Sequence, residues 1–161
     1  MNNLNNLKNA SVYITLTGGG SRFISNILSA GGASWFFEGC EIPYSTDQID
    51  KLIGYKPTKY TSHEVLLDLA RNSIDKIADS KKEIIGVGIT AVLNKVGGQR
   101  EGRRNFIRIR VANKFDQGID YIINLDQSMT REEQEDSCAK IVFDILSKTS
   151  IEKNVLTFFQ K

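Results

Sequence analysis

The sequence predicts an α/β domain of three-layer type, built on a mixed sheet. Three observations predict it. Short apolar runs alternate with amphipathic segments early in the chain, which asks for parallel strands joined by helical crossovers. Further apolar runs then follow one another with no helix between them, which asks for antiparallel neighbours. Hydroxyl-x-x-acid or -amide patterns at Ser45, Thr61 and Thr130 mark helix starts.

The elements follow in order. Residues 1–9 read as a flexible lead-in and residues 10–149 as one domain. Residues 10–16 read as a strand. The run Thr15-Leu16-Thr17-Gly18-Gly19-Gly20-Ser21 closes it and opens a helix over 21–29, with Phe23, Ile24, Ile27 and Leu28 on one face. Gly31 and Gly32 end that helix. Residues 35–43 read as a second strand. Ser45 caps a short helix that carries Ile49, Leu52 and Ile53, and Gly54 closes it. A loop with Pro57 leads to Thr61…Glu64, which opens a helix to about Ala78, with Leu66, Leu69, Ala70 and Ile77 inward. Residues 83–90 are apolar throughout, as in a strand buried on both faces. Residues 92–103 read as a polar, glycine-containing loop.

Residues 105–111 alternate, with Ile107, Ile109 and Val111 on one side and Phe106, Arg108 and Arg110 on the other. The arginine side reads as a solvated sheet face, with an interface or an anion groove as alternatives. Residues 121–125 form a further strand after the turn at Asp116-Gln117-Gly118. The last helix starts at Thr130…Glu133 and carries a stripe of Cys138, Ile141, Val142, Ile145 and Leu146. The tail, 150–161, holds Val155, Leu156, Phe158 and Phe159, to pack back on the domain or to cover a partner.

Composition narrows the function classes. The 161 residues carry a net charge of +2, which argues neither for nor against nucleic acid, but such a partner would want more aromatic interleaving and a larger basic excess, so none is expected. No run approaches the roughly 20 apolar residues of a membrane helix, and the start lacks a signal peptide's apolar segment. A cytoplasmic protein is expected. Cys40, Cys138 and His63 lack metal-ligand spacing, so neither metal nor cofactor is expected, and both cysteines read as buried thiols.

The glycine run is the strongest pointer to a ligand. Strand, glycine turn and helix start is an arrangement that holds anions, because glycines let the backbone approach and helix N–H groups point at negative charge. The run matches neither the Walker pattern nor GxGxxG. A tight turn without ligand is the plain alternative.

The ordered set of segments resembles the CinA C-terminal domain family, the nicotinamide-mononucleotide deamidases. Where that family has Glu-Ser-Cys-Thr-Gly-Gly, this chain has Ile14-Thr15-Leu16-Thr17-Gly18-Gly19. Gly32-Ala33-Ser34, Tyr44-Ser45-Thr46-Asp47, Leu52-Ile53-Gly54 and the stretch from Thr90 to Gly98 follow in the family's order. Arg131 stands for its Gly-Asp-Arg element. The resemblance implies a CinA-like α/β fold, a homo-oligomer of at least two chains, and a phosphorylated small molecule such as a pyridine mononucleotide as partner. It implies binding residues at Thr17, Gly18, Gly19, Gly20, Ser45, Thr90 and Arg131, and catalytic positions at Thr15 and Tyr44.

The departures fall on the chemistry. The family's serine is Thr15 and its lysine is Ile49, which can neither take nor give a proton. A second family arginine appears as Glu135. Expected, then, is a nucleotide-binding relative of the amidases that lacks amide hydrolysis. A deamidase using Thr15 and a non-catalytic assembly subunit are the alternatives.

Overall fold

Five strands form one mixed sheet in the order β2-β1-β3-β4-β5. The structure is a computed structural model that describes residues 4–77, 79–96, 104–152 and 155–158. Strands β1 (Ala10–Thr17), β2 (Phe37–Glu41) and β3 (Glu83–Val92) run parallel, and β4 (Phe106–Asn113) and β5 (Gly118–Asn124) are antiparallel additions. Helices α1 (Ser21–Ala30) and α4 (Arg131–Ser147) cover one face. Helix α3 (His63–Lys76) covers the other, with α2 (Thr46–Ile53) packed on it. This is the expected three-layer α/β architecture with a mixed sheet.

Alternation decides what each face does. Ala10, Val12, Ile14 and Leu16 of β1 and Ile85, Val87 and Ile89 of β3 bury against Phe23, Ile27, Val142 and Leu146. Each such aliphatic side chain contributes about 1.5–3 kcal/mol by leaving water. On the α3 face the same strands carry Ser11, Thr15 and Thr17, and Gly86, Gly88 and Thr90. The glycines are required there. A Cβ at Gly88 would lie 2.7 Å from the Ala70 nitrogen and 2.8 Å from the Leu66 oxygen, and one at Gly86 would lie 2.8 Å from the Ala70 oxygen. Helix α3 therefore rests directly on the backbone of β3.

Several boundaries differ from the sequence-based expectation. Ala33–Trp35 is a 3-10 turn, so β2 starts only at Phe37. The α3 cap is Ser62 rather than Thr61, and its hydroxyl accepts from the Val65 N–H at 3.2 Å. Strand β3 runs on to Val92 because it keeps pairing with β4, and β5 starts at Gly118 because that residue still pairs with Ala112. The capping box at Thr130 and Glu133 forms as expected. Ala78 and residues 97–103 of the expected loop, with Arg100 and Arg103, lie outside the described residues.

The first and last described segments pack on the domain. A 3-10 turn, Asn5–Leu7, buries Leu7, and the Asn6 amide donates to the carbonyls of Leu146 and Thr149 at 2.7 Å each. Strands β6 (Thr149–Glu152) and β7 (Val155–Phe158) form a hairpin, and Leu156 packs against the main core.

The arginine side of β4 is not simply solvated. Arg110 keeps 10% of its side-chain exposure, donates to Asp120 at 2.8 Å and to the Asp116 carbonyl at 2.8 Å. The β4–β5 hairpin supplies those oxygens, which a strand pattern alone does not reveal. Cys138 is a core thiol pushed up to about 12 by burial and then by Glu135, whereas Cys40 is only half-buried. No described helix is long and apolar enough to cross a membrane.

Replacing Gly88 with alanine should lower stability by about 1–3 kcal/mol, because backbone atoms of α3 must move to admit the methyl group. Urea denaturation measures it, and an unchanged midpoint would contradict the close approach.

Candidate functional site

Thr15 sits in β1, fully buried, at the place expected for a nucleophile. Its hydroxyl lies 2.7 Å from the Ser73 hydroxyl and accepts from the Asn72 amide at 3.0 Å. Ser73 donates its own proton to the Val87 carbonyl at 2.9 Å. That direction leaves Thr15 as the donor to Ser73. Both partners of Thr15 are neutral, and neither takes a proton at ordinary pH.

The nearest charges stand one step further off. Glu41 hydrogen-bonds Asn72, pairs with Lys76 at 2.7 Å and accepts from Tyr13 at 3.2 Å. The Lys76 hydrogen bond, foremost, holds the Glu41 carboxyl below its usual range. Tyr13 is pushed up to about 12 by burial and then by Glu41. Asn72 separates this cluster from Thr15 and meets the threonine as a donor only. Ile49 is buried against Val65 and Leu69, so its helix position is part of the α2–α3 core.

On the other face, the glycine turn meets a carboxylate of the same chain. Glu135 of α4 accepts from the Gly20 N–H at 2.9 Å and the Arg22 N–H at 3.0 Å. It also accepts from the Ser21 hydroxyl at 3.0 Å. These are donors of the α1 N-terminus, where a negative charge is favoured. Gly18 has a structural reason of its own. Its φ is +83°, and a Cβ there would lie 2.2 Å from the Ala91 oxygen.

The remaining sequence-predicted residues divide between support and surface. Ser45 is engaged as the α2 cap, accepting from the Gln48 N–H at 3.3 Å. Arg131 donates to the Asn94 carbonyl at 2.9 Å, while Gln134 accepts from the Asn94 N–H at 2.7 Å. Together they fix the turn after β3. Thr17 is 6% exposed at the end of β1, and its register partner Thr90 is fully buried with no partner for its hydroxyl. Tyr44 is 70% exposed. It lines a cleft of about 370 Å³ over the turn, with Leu16, Gly18, Gly19, Arg22 and Arg131.

Asn72, Ser73 and Gln134 carry much of this geometry and were not marked by sequence patterns, and Glu135 was marked only as standing where the family has an arginine. Ser73 had a signal: it falls four residues after Leu69 on the inward stripe of α3, as a hydroxyl among apolar neighbours. The contacts of Glu135 had none, because its donors lie far away in sequence.

No protein-family model matches the chain, and none of the curated proteins does. Solved structures do. A competence-damaged protein (CinA) superfamily protein from Klebsiella pneumoniae matches with a TM-score of 0.69 and 7% identity, over 89% of each chain. Competence/damage inducible protein CihA from Agrobacterium tumefaciens matches with a TM-score of 0.64 and 13% identity, over 87% of this chain and 88% of that one. Competence damage-inducible protein A (ComA) from Klebsiella pneumoniae matches with a TM-score of 0.68 and 8% identity, over 91% of this chain and 96% of that one. At these identities the likeness is one of fold, and the fold is that of the CinA superfamily.

Glu135→Ala should cost about 1.5–3 kcal/mol, since hydrogen bonds to a charged group are lost and helix donors are left bare. Glu132→Ala, at a side chain 80% exposed, should change stability by less than about 0.5 kcal/mol. Equal effects of the two substitutions in thermal denaturation would contradict the role given to Glu135.

Proposed function

We propose that this chain is a CinA-like protein, a divergent relative of the nicotinamide-nucleotide amidases, that binds a small molecule without hydrolysing an amide. The observation that carries the reading is the Thr15 hydroxyl, buried between Ser73 and Asn72 with neutral partners only. A hydroxyl attacks an amide carbonyl only when a base takes its proton as the bond forms. The family's lysine position holds Ile49, which faces the core between α2 and α3. Losing a nucleophile–base pair removes orders of magnitude in rate.

The cleft over the glycine turn supports binding. It offers backbone beside Gly18 and Gly19, the exposed ring of Tyr44, and the cations Arg22 and Arg131, with Glu132 and Glu135 on the same wall and Arg22 paired to Asp136 at 2.8 Å. A phosphorylated pyridine nucleoside is the ligand class that the family resemblance favours. Its phosphate would not take the α1 N-terminus while Glu135 holds those donors, because two anions there repel. Location in the cytoplasm and assembly as a homo-oligomer belong to the same reading.

Incubation with nicotinamide mononucleotide tests it. Ammonia release should stay at the uncatalysed background, while the mononucleotide raises the melting temperature in proportion to the logarithm of its concentration above Kd. Turnover that disappears in Thr15→Ala would overturn the reading in favour of an active deamidase.

A further inference from the structure

A row of polar side chains crosses the α3 face of the sheet where β1 and β3 end. Thr17 pairs with Thr90 across β1 and β3, and Thr90 pairs with Arg108 across β3 and β4. Register partners on neighbouring strands point to the same face, so the three side chains stand side by side at strand spacing. Thr90 is fully buried, and its hydroxyl has no hydrogen-bond partner. The Arg108 Nε is also buried and unpartnered, as is the Arg110 Nε, so the two arginines differ in their carboxylate partner rather than at Nε.

Arg110 shows what is missing at Arg108. Both arginines lie on one face of β4. Opposite Arg110 in the register is Asp120, which pairs with it at 2.8 Å. Opposite Arg108 is Ile122, 56% exposed. Among the described residues no carboxylate pairs with Arg108, and its guanidinium stacks 5.4 Å from the Phe106 ring centre. A guanidinium stays charged at every physiological pH, and a half-buried one without an anion is costly. Stacking on an aromatic ring leaves its edge free to grip two oxygens at once.

We propose that Arg108 receives the oxyanion of a small-molecule ligand, a carboxylate or a phosphate, on the α3 face of the sheet. Arg108 supplies the charge and a two-point hydrogen bond. The Thr90 hydroxyl, next in the row, supplies a further donor. The inference does not depend on the absence of hydrolysis or on occupancy of the cleft.

Arginine side-chain NMR on the full chain tests it, with inorganic phosphate and acetate as separate probes against chloride at constant ionic strength. The Arg108 Nε–Hε signal should shift and saturate with at least one of the two anions, and the Arg110 signal should stay in place. Whichever anion binds names the source class, phosphate ester or carboxylate. Arg108→Gln should abolish the saturable thermal stabilisation by that anion while the anion-free protein still melts cooperatively. Thr90→Val should weaken binding up to about tenfold, the size of one hydrogen bond. No saturable shift with either anion would overturn the proposal, as would stabilisation that survives Arg108→Gln. Glu101 lies outside the described residues, and binding that arises only in Glu101→Gln would assign Arg108 to that carboxylate and overturn the proposal equally.

Discussion

The close approach of α3 to Gly86 and Gly88 sets most of what the α3 face can do. Without side chains on those residues, the helix backbone comes to van der Waals contact with β3. Ser73 then reaches the Val87 carbonyl and the Thr15 hydroxyl together, and Asn72 meets Thr15 from the next position. A larger residue at position 88 would lift the helix and part these groups. The same helix holds α2 through Val65 and Leu69 against Ile49. One pair of glycines thus links the sheet, the buried hydroxyl and the helix that carries the altered lysine position.

The opposite face follows a parallel logic with charge in place of contact. The first turns of α4 reach both turns at the carboxyl ends of β1 and β3. Glu135 takes donors of the α1 N-terminus, while Arg131 and Gln134 grip the backbone of Asn94. The features that suggest an anion cradle are thereby satisfied within the chain. Among the described residues, the buried side-chain atoms without a hydrogen-bond partner lie elsewhere, at Thr90, Arg108, Arg110 and Asp116. The chain shares its architecture with solved CinA-superfamily proteins, and its polar groups divide between internal partners and, at Arg108, a guanidinium with no carboxylate partner among the described residues.

Local signals were legible where local physics decides the outcome. The Thr130–Glu133 box, the apolar run of β3 and Phe23, Ile24 and Ile27 of the α1 stripe need only neighbours within one or two turns, whereas Leu28, expected on that stripe, is 58% exposed. Hydropathy could not place the end of β3, because pairing with β4 sets it. The α3 cap shifted from Thr61 to Ser62, a choice between adjacent hydroxyls that sequence leaves open. Thr15 and Ile49 were legible as departures from a family pattern. Their meaning came from α3, whose Ser73 looked like one polar residue in an amphipathic helix. Glu135 was read as a lost arginine, but its contacts span 115 positions in sequence, beyond any local rule.

The central claim is that the Thr15 hydroxyl is a structural donor held by Ser73 and Asn72, and that no base activates it. Intact-mass measurement after exposure to a fluorophosphonate, which modifies activated hydroxyls, tests it most directly. The account predicts an unmodified mass for the native protein. A stoichiometric adduct mapped to Thr15 would contradict it.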